Sequence, residues 1–156
     1  MPADSHRFIW NYEGIPRDLI KAMKYRPSVT LARMCGGILA DFLPTLYTDR
    51  HFDVLVPIPS SHSTFRQRLF HPCYEMAYEL SATHRIPIEL ALTHDPTRKP
   101  QAKLHHDARL RNLRHLFHCA KPGRIQDKRI LLIEDVITTG ATISAAADCL
   151  SRAGAA

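Results

Sequence analysis

No CxxC pair joins any of the four cysteines, which stand at positions 35, 73, 119 and 149. Their spacing excludes a zinc ribbon and a thioredoxin-like redox motif, and thiols so scattered are expected to be reduced and mostly buried. The ten histidines contain no HExxH arrangement. The adjacent His105 and His106 point to opposite sides of whatever element carries them, so surface or polar-core roles are expected and no structural zinc. No apolar stretch approaches the roughly 20 residues that span a bilayer. The opening residues MPADSHRFIWNYEG lack the basic stretch and apolar run of a secretory leader, and a cytoplasmic protein is the simplest expectation. There is no internal repeat and no low-complexity tract.

What is present suits a globular protein. At 156 residues, 45% hydrophobic and 23% charged, the chain has the usual size of one domain and enough length to bury a sizeable core. A formal charge of +6 and a pI near 9.4 favour anionic partners, either phosphorylated metabolites or nucleic acid. Much of the excess lies in Arg66 with Arg68, and in the stretch from Arg98 to Arg114. A solvated basic face has the same composition.

Tyr12-Glu13-Gly14 reads as a turn, after which Pro16 fits the first turn of a helix carrying Leu19, Ile20 and Met23. Ser28 is placed to cap a second helix with Leu31, Cys35, Ile38, Leu39 and Phe42 on one face. Asp53 precedes Val54-Leu55-Val56, a buried strand that Pro57-Ile58-Pro59-Ser60 stops abruptly. Pro72 opens an amphipathic helix with Cys73, Met76, Ala77 and Leu80 inside. A strand is expected over Ile86 to Leu92, a polar loop from His94 to Lys103, and another short strand at Leu116-Phe117. This order after residue 50 is that of an α/β sheet, mainly parallel and flanked by helices.

The segment from Ile130 to Thr142 carries the densest chemistry. Ile130 to Ile133 form a short apolar run suited to a parallel strand buried on both faces. Glu134 and Asp135 follow at its carboxyl end, where open α/β sheets place their ligands. Adjacent carboxylates repel, and sugar hydroxyls are good partners for them; a metal ion could share the same acids. Thr138, Thr139, Gly140, Ala141 and Thr142 then supply hydroxyls and backbone amides just before the helical pattern of Ile143, Ala147 and Leu150. A helix amino end is an anion site. The combination describes a sugar phosphate site, although a strand, a solvated acidic turn and a helix cap would use the same residues.

The string LLIEDVITTGAT closely resembles the phosphoribosyl diphosphate signature of type I phosphoribosyltransferases. That resemblance implies ribose hydroxyls on Glu134 and Asp135 and the 5-phosphate on Thr138 to Thr142. Along nearly its whole length the chain resembles phosphoribosyltransferases of the ComF competence type. The resemblance rests on Tyr12-Glu13-Gly14 with Ile20-Lys21-Ala22-Met23-Lys24-Tyr25, on Asp53-Val54-Leu55-Val56-Pro57-Ile58-Pro59, and on Arg98-Lys99-Pro100-Gln101 followed by Arg109-Leu110-Arg111-Asn112 and Phe117.

The resemblance implies a type I phosphoribosyltransferase fold in a single domain: residues 1–50 forming a small hood and leading helices, and 51–156 an α/β core. It implies phosphoribosyl diphosphate (PRPP) as ligand, with Mg²⁺ held mainly through the ligand and shared by Glu134 and Asp135. Diphosphate contacts would come from Pro57, Ile58, Pro59, Ser60 and Arg98, with Arg68, Lys99, Gln101, Arg109 and Asn112 as further loop or anion contacts. No residue is assigned as catalytic.

Three departures stand out. The family's Arg-Gly-Phe-Asn-Gln is here Arg68-Leu69-Phe70-His71-Pro72, its paired aspartates are Glu134-Asp135, and its four-cysteine zinc module is absent. Relatives continue past Ala-Gly-Ala into a further strand, so the core is expected to lack that strand. The alternative is a non-catalytic competence factor that handles single-stranded DNA beside a retained ligand pocket. In it the basic clusters would follow phosphates, with Phe65, Phe70 or Tyr74 available to stack on bases. The acceptor and the oligomeric state stay open, a homodimer among the allowed forms.

Overall fold

A computed structural model of the chain describes residues 5–25, 28–61, 65–66, 69–94 and 116–156. The expected contacts Arg68, Arg98, Lys99, Gln101, Arg109 and Asn112 therefore lie outside the described residues, as do His105 and His106.

Strand β1, Val54–Pro57, pairs in parallel with β4, Ile130–Ile133, in the register Val54 to Ile130 through Pro57 to Ile133. Asp53 fixes the start of the ladder: its amide donates to the Arg129 carbonyl at 2.9 Å, and its carboxylate accepts from the Arg129 amide at 2.8 Å. On the other side of β1, Ile88 forms a single parallel bridge with Leu55. The expected strand over Ile86 to Leu92 is thus shortened. The Leu55 amide donates to the Pro87 carbonyl and the Glu89 amide to the Leu55 carbonyl, each at 2.9 Å, but Pro87 has no N–H with which to extend the ladder back toward Asp53. Regular pairing resumes in β2, Leu92–His94, which is antiparallel to β3, Phe117–Cys119.

The alternation of side chains along a strand builds the layers. Leu55, Leu131 and Ile133 turn toward helices α1 (Gly14–Tyr25), α2 (Val29–Leu46) and α3 (Pro72–His84). Val54, Val56, Ile130 and Leu132 turn toward β2, β3, the short α4 (Pro122–Ile125) and α5 (Ala141–Arg152). Helices cover both faces, and all four residues of β1 are buried. Each such aliphatic side chain contributes about 1.5–3 kcal/mol by leaving water.

Helix α1 buries Ile20 and Met23, as its spacing predicts. Helix α2 begins where expected, with Ser28 extended and its hydroxyl accepting the Leu31 amide at 3.2 Å. Its inner face is shifted from the predicted one: Cys35 is buried and Leu31 and Leu39 pack against the core as expected, but the centre of the face is made by smaller residues. Ala32, Cys35, Gly36, Ala40 and Leu43 are buried, whereas Phe42 is 47% exposed. The cause is close approach: a β-carbon on Gly36 would lie 2.7 Å from the Met76 Cα and carbonyl oxygen of α3. Small residues let the two backbones meet, and the larger side chains are displaced to the flanks. By length and composition α2 also suffices to cross a membrane, a possibility the raw sequence had not suggested. Here it lies along α3, and Arg33 on its outer side pairs with Glu75 at 2.9 Å.

Helix α3 starts at Pro72 and buries Cys73, Met76, Ala77 and Leu80, the expected face. Just before it, Leu69 has φ +60°. A leucine thus holds a left-handed conformation that glycine adopts without strain.

Along β4 the Arg129 and Ile133 carbonyls bond toward β1, to the Asp53 and Ile58 amides. The two-residue period then turns the backbone groups of Ile130 and Leu132 to the opposite edge. At that edge the Ala156 amide donates to the Lys128 carbonyl at 3.1 Å, and a cavity of about 670 Å³ runs between α2 and α5.

Candidate functional site at the carboxyl ends of β1 and β4

Because β1 and β4 are parallel neighbours, the loops that follow them open on the same side. The Ile58 amide donates to the Ile133 carbonyl at 3.0 Å, which holds the Pro57–Ser60 loop directly beside the start of the acidic segment. Glu134 and Asp135 are half-buried at the end of β4. Asp135 lies close enough to α2 that its charge, after burial, helps hold the Cys35 thiol above its ordinary pKa.

The turn that follows is formed by Gly140, with φ +72° and ψ 0° in the left-handed region. A β-carbon there would meet nothing within 4 Å, so the glycine is required by conformation and not by space. The Thr139 hydroxyl accepts the Ala141 amide at 3.4 Å, and the helix hydrogen bonds begin with Ser144 N–H to Gly140 C=O at 2.9 Å. Thr138 and Thr139 are exposed and Thr142 is half-buried. The amino end of the 12-residue α5 thus stands at the site with its dipole directed outward.

The candidates Glu134, Asp135, Thr138 to Thr142 and Pro57 to Ser60 are therefore brought together on adjacent strand ends. The donor capacity of the second loop is smaller than a glycine-rich loop would give. Pro57 and Pro59 have no N–H, and the Ile58 N–H is engaged with Ile133.

A residue unassigned by the sequence joins this loop. His94 Nε2 lies 3.0 Å from the Pro59 carbonyl; the oxygen can only accept, so the ring nitrogen donates. His94 also packs on Phe117, ring centroids 5.0 Å apart. Thirty-five residues separate the bonded pair, and no spacing rule would have joined them.

The large cavity is elsewhere. It follows the outer edge of β4 and reaches the strand-end site only at Glu134 and Ile137. The expected stacking residues are also partly withdrawn. Phe70 is 8% exposed and belongs to the core, so it is unavailable to a base, and Phe65 is stacked on His71 at 4.5 Å with the rings 16° apart. His71 is held below its ordinary pKa by burial, and its Nδ1 has no hydrogen-bond partner among the described residues. The described cysteines are all free thiols, with Cys35, Cys73 and Cys149 buried and Cys119 partly exposed.

No family model matches the chain. Among solved structures it superposes on glutamine phosphoribosylpyrophosphate amidotransferase from B. subtilis, complexed with ADP and GMP, with a TM-score of 0.58. The match has 18% identity and covers 87% of this chain and 29% of that one. The fold is that of the type I phosphoribosyltransferases. Among curated proteins the chain is 28% identical over 152 residues to competence protein ComFC of Bacillus subtilis (strain 168), an alignment covering 96% of this chain and 59% of that protein. The chain thus spans 59% of the length of this relative, and the two comparisons together bear out a resemblance to ComF-type proteins carried on a phosphoribosyltransferase fold.

Proposed function

We propose that the chain binds PRPP at the carboxyl ends of β1 and β4 and acts there as a phosphoribosyltransferase. The observation that carries this reading is the 3.0 Å bond from the Ile58 amide to the Ile133 carbonyl. It brings a candidate diphosphate loop beside the start of the segment that carries the carboxylate pair, and the amino end of α5 follows in the same segment.

In this reading Glu134 and Asp135 accept from the ribose 2- and 3-hydroxyls, and the amides and hydroxyls of Thr138 to Thr142 bind the 5-phosphate. A nitrogen nucleophile forms its bond to the anomeric carbon as the carbon–oxygen bond to diphosphate breaks, and the leaving group departs with the electron pair. Positioning and charge stabilisation supply most of the rate, so no strong general base is required. The resemblance adds Arg98 as a diphosphate contact, and Arg68, Lys99, Gln101, Arg109 and Asn112 as further loop or anion contacts.

Among the described residues no group of three or more His, Cys, Asp or Glu side chains is placed to hold a metal ion. In this reading Mg²⁺ is carried mainly on the ligand's own oxygens and shared with Glu134 and Asp135, hard donors suited to it. When bound it would neutralise the diphosphate. A part in competence, the word the ComFC relative's name carries, belongs to the same proposal, together with the DNA uptake that the family resemblance implies.

Calorimetric titration with PRPP, with and without Mg²⁺, tests the reading against a Glu134→Ala/Asp135→Ala variant. Saturable, Mg²⁺-dependent binding lost in the variant is expected. A folded wild-type protein that binds no PRPP refutes it.

A further inference from the structure

We propose that His94 is a positioning residue of this site, orienting the Ser60 N–H toward a bound diphosphate through its grip on the Pro59 carbonyl. The inference rests on the PRPP reading above and goes beyond it in naming the group that sets the diphosphate loop.

The starting point is the scarcity of donors in Pro57–Ser60. Two of the four residues are prolines without an N–H, and the Ile58 N–H bonds the Ile133 carbonyl at 3.0 Å. Ser60 is left, among the described residues, as the loop's one backbone donor for an anion. Its direction is set by the peptide unit it shares with Pro59. Among the described residues there is no cis peptide bond, and a planar trans peptide turns its C=O and its N–H to opposite sides. Whatever fixes the Pro59 carbonyl therefore fixes the Ser60 N–H.

The group that fixes it is the His94 ring, with Nε2 3.0 Å from the Pro59 oxygen. The ring is held from behind as well. It lies against Phe117, centroids 5.0 Å apart, and His94 and Phe117 face each other across the β2–β3 ladder. The loop is thus strung between β4 on one side, through Ile58, and β2 on the other, through His94. Two anchors leave the peptide between Pro59 and Ser60 little freedom to rotate. A donor already oriented costs less to engage than one that must be ordered on binding.

Binding of PRPP, inorganic pyrophosphate and ribose 5-phosphate to the full chain tests the inference, using wild type, His94→Leu and His94→Gln. His94→Leu is expected to weaken pyrophosphate and PRPP roughly tenfold, the order of one lost hydrogen bond to a charged group. Ribose 5-phosphate, which has no diphosphate, should bind as before. Glutamine, whose amide can still donate to the Pro59 carbonyl, should restore most of the loss. In nitrogen-15 spectra the Ser60 amide should shift with pyrophosphate in wild type and His94→Gln but not in His94→Leu.

Unchanged pyrophosphate affinity in a folded His94→Leu protein overturns the inference. So does an equal loss for ribose 5-phosphate without rescue by glutamine, which would mark a packing role against Phe117. If His94→Leu does not fold, a Ser60 amide that ignores pyrophosphate in the wild type overturns it instead. A wild type that binds neither PRPP nor pyrophosphate refutes the parent reading, and this one with it.

Discussion

The Ile58 amide and the Ile133 carbonyl, 3.0 Å apart, join the two loops of the site at the point where each leaves the sheet. The acid pair begins one residue beyond Ile133, so the loops after β1 and β4 leave the sheet side by side. Glu134 and Asp135 are half-buried at this strand end, outside the buried core. Glu134→Gln/Asp135→Asn is expected to keep the thermal midpoint within a few degrees. Its PRPP affinity should fall by roughly ten- to a hundredfold, as expected for hydrogen bonds to charged acceptors. Calorimetry beside a melting curve checks both halves.

Gly36 is needed for the contact between α2 and α3. Its β-carbon would meet the Met76 Cα and carbonyl oxygen at 2.7 Å and the Glu79 Cβ at 3.0 Å, and neither backbone atom can swing away. Gly36→Ala should destabilise the protein by about 1–3 kcal/mol through overpacking, read as a lower midpoint in urea. An unchanged midpoint would mean that the helices separate at no cost.

Leu69 holds φ +60° with its side chain 79% exposed, so replacing it loses little packing. Glycine removes the left-handed penalty, about 1–2 kcal/mol for residues bearing a β-carbon, whereas a β-branched residue increases it. Leu69→Gly should be at least as stable as the wild type and Leu69→Val less stable by about 1 kcal/mol or more. Denaturant melts of the three proteins give the order directly.

His71 supplies a pH dependence. Burial lowers its pKa from 6.5 in the folded protein, so the unfolded chain binds a proton at a pH where the native state does not. Stability is then fully present above the unfolded value and is lost as pH falls through about 6.5 toward the lower folded value. The urea midpoint should drop between pH 7 and pH 5, and His71→Phe should flatten that drop. A His71→Phe profile as steep as that of the wild type would contradict the assignment.

Much of this was legible in the chain because the signals are local. The four-residue apolar runs of β1 and β4, the Ser28 cap and the proline at the start of α3 each declare themselves within a turn or a strand. The inner face of α2 was legible only in part: Cys35, Leu31 and Leu39 face the core as expected, but Phe42 does not, since the face is centred by how closely Gly36 lets α3 approach. The strand expected over Ile86 to Leu92 shrank to a bridge at Ile88, beside Pro87, which has no N–H with which to extend the ladder toward Asp53. At the site, the acid pair and the Thr-Gly turn were visible because they follow a strand directly. The bond from His94 to Pro59 was not, because it closes a 35-residue separation that only the tertiary fold brings together.

The most direct test of the central claim is a map of backbone amide shifts on titrating the protein with PRPP and Mg²⁺. The amides of Thr138 to Thr142 and of Ser60 should move together, saturating at one ligand concentration, with the largest shifts at the amino end of α5. Shifts confined to the edge of β4 along the 670 Å³ cavity, or no shift in either loop, would contradict a PRPP site at the carboxyl ends of β1 and β4.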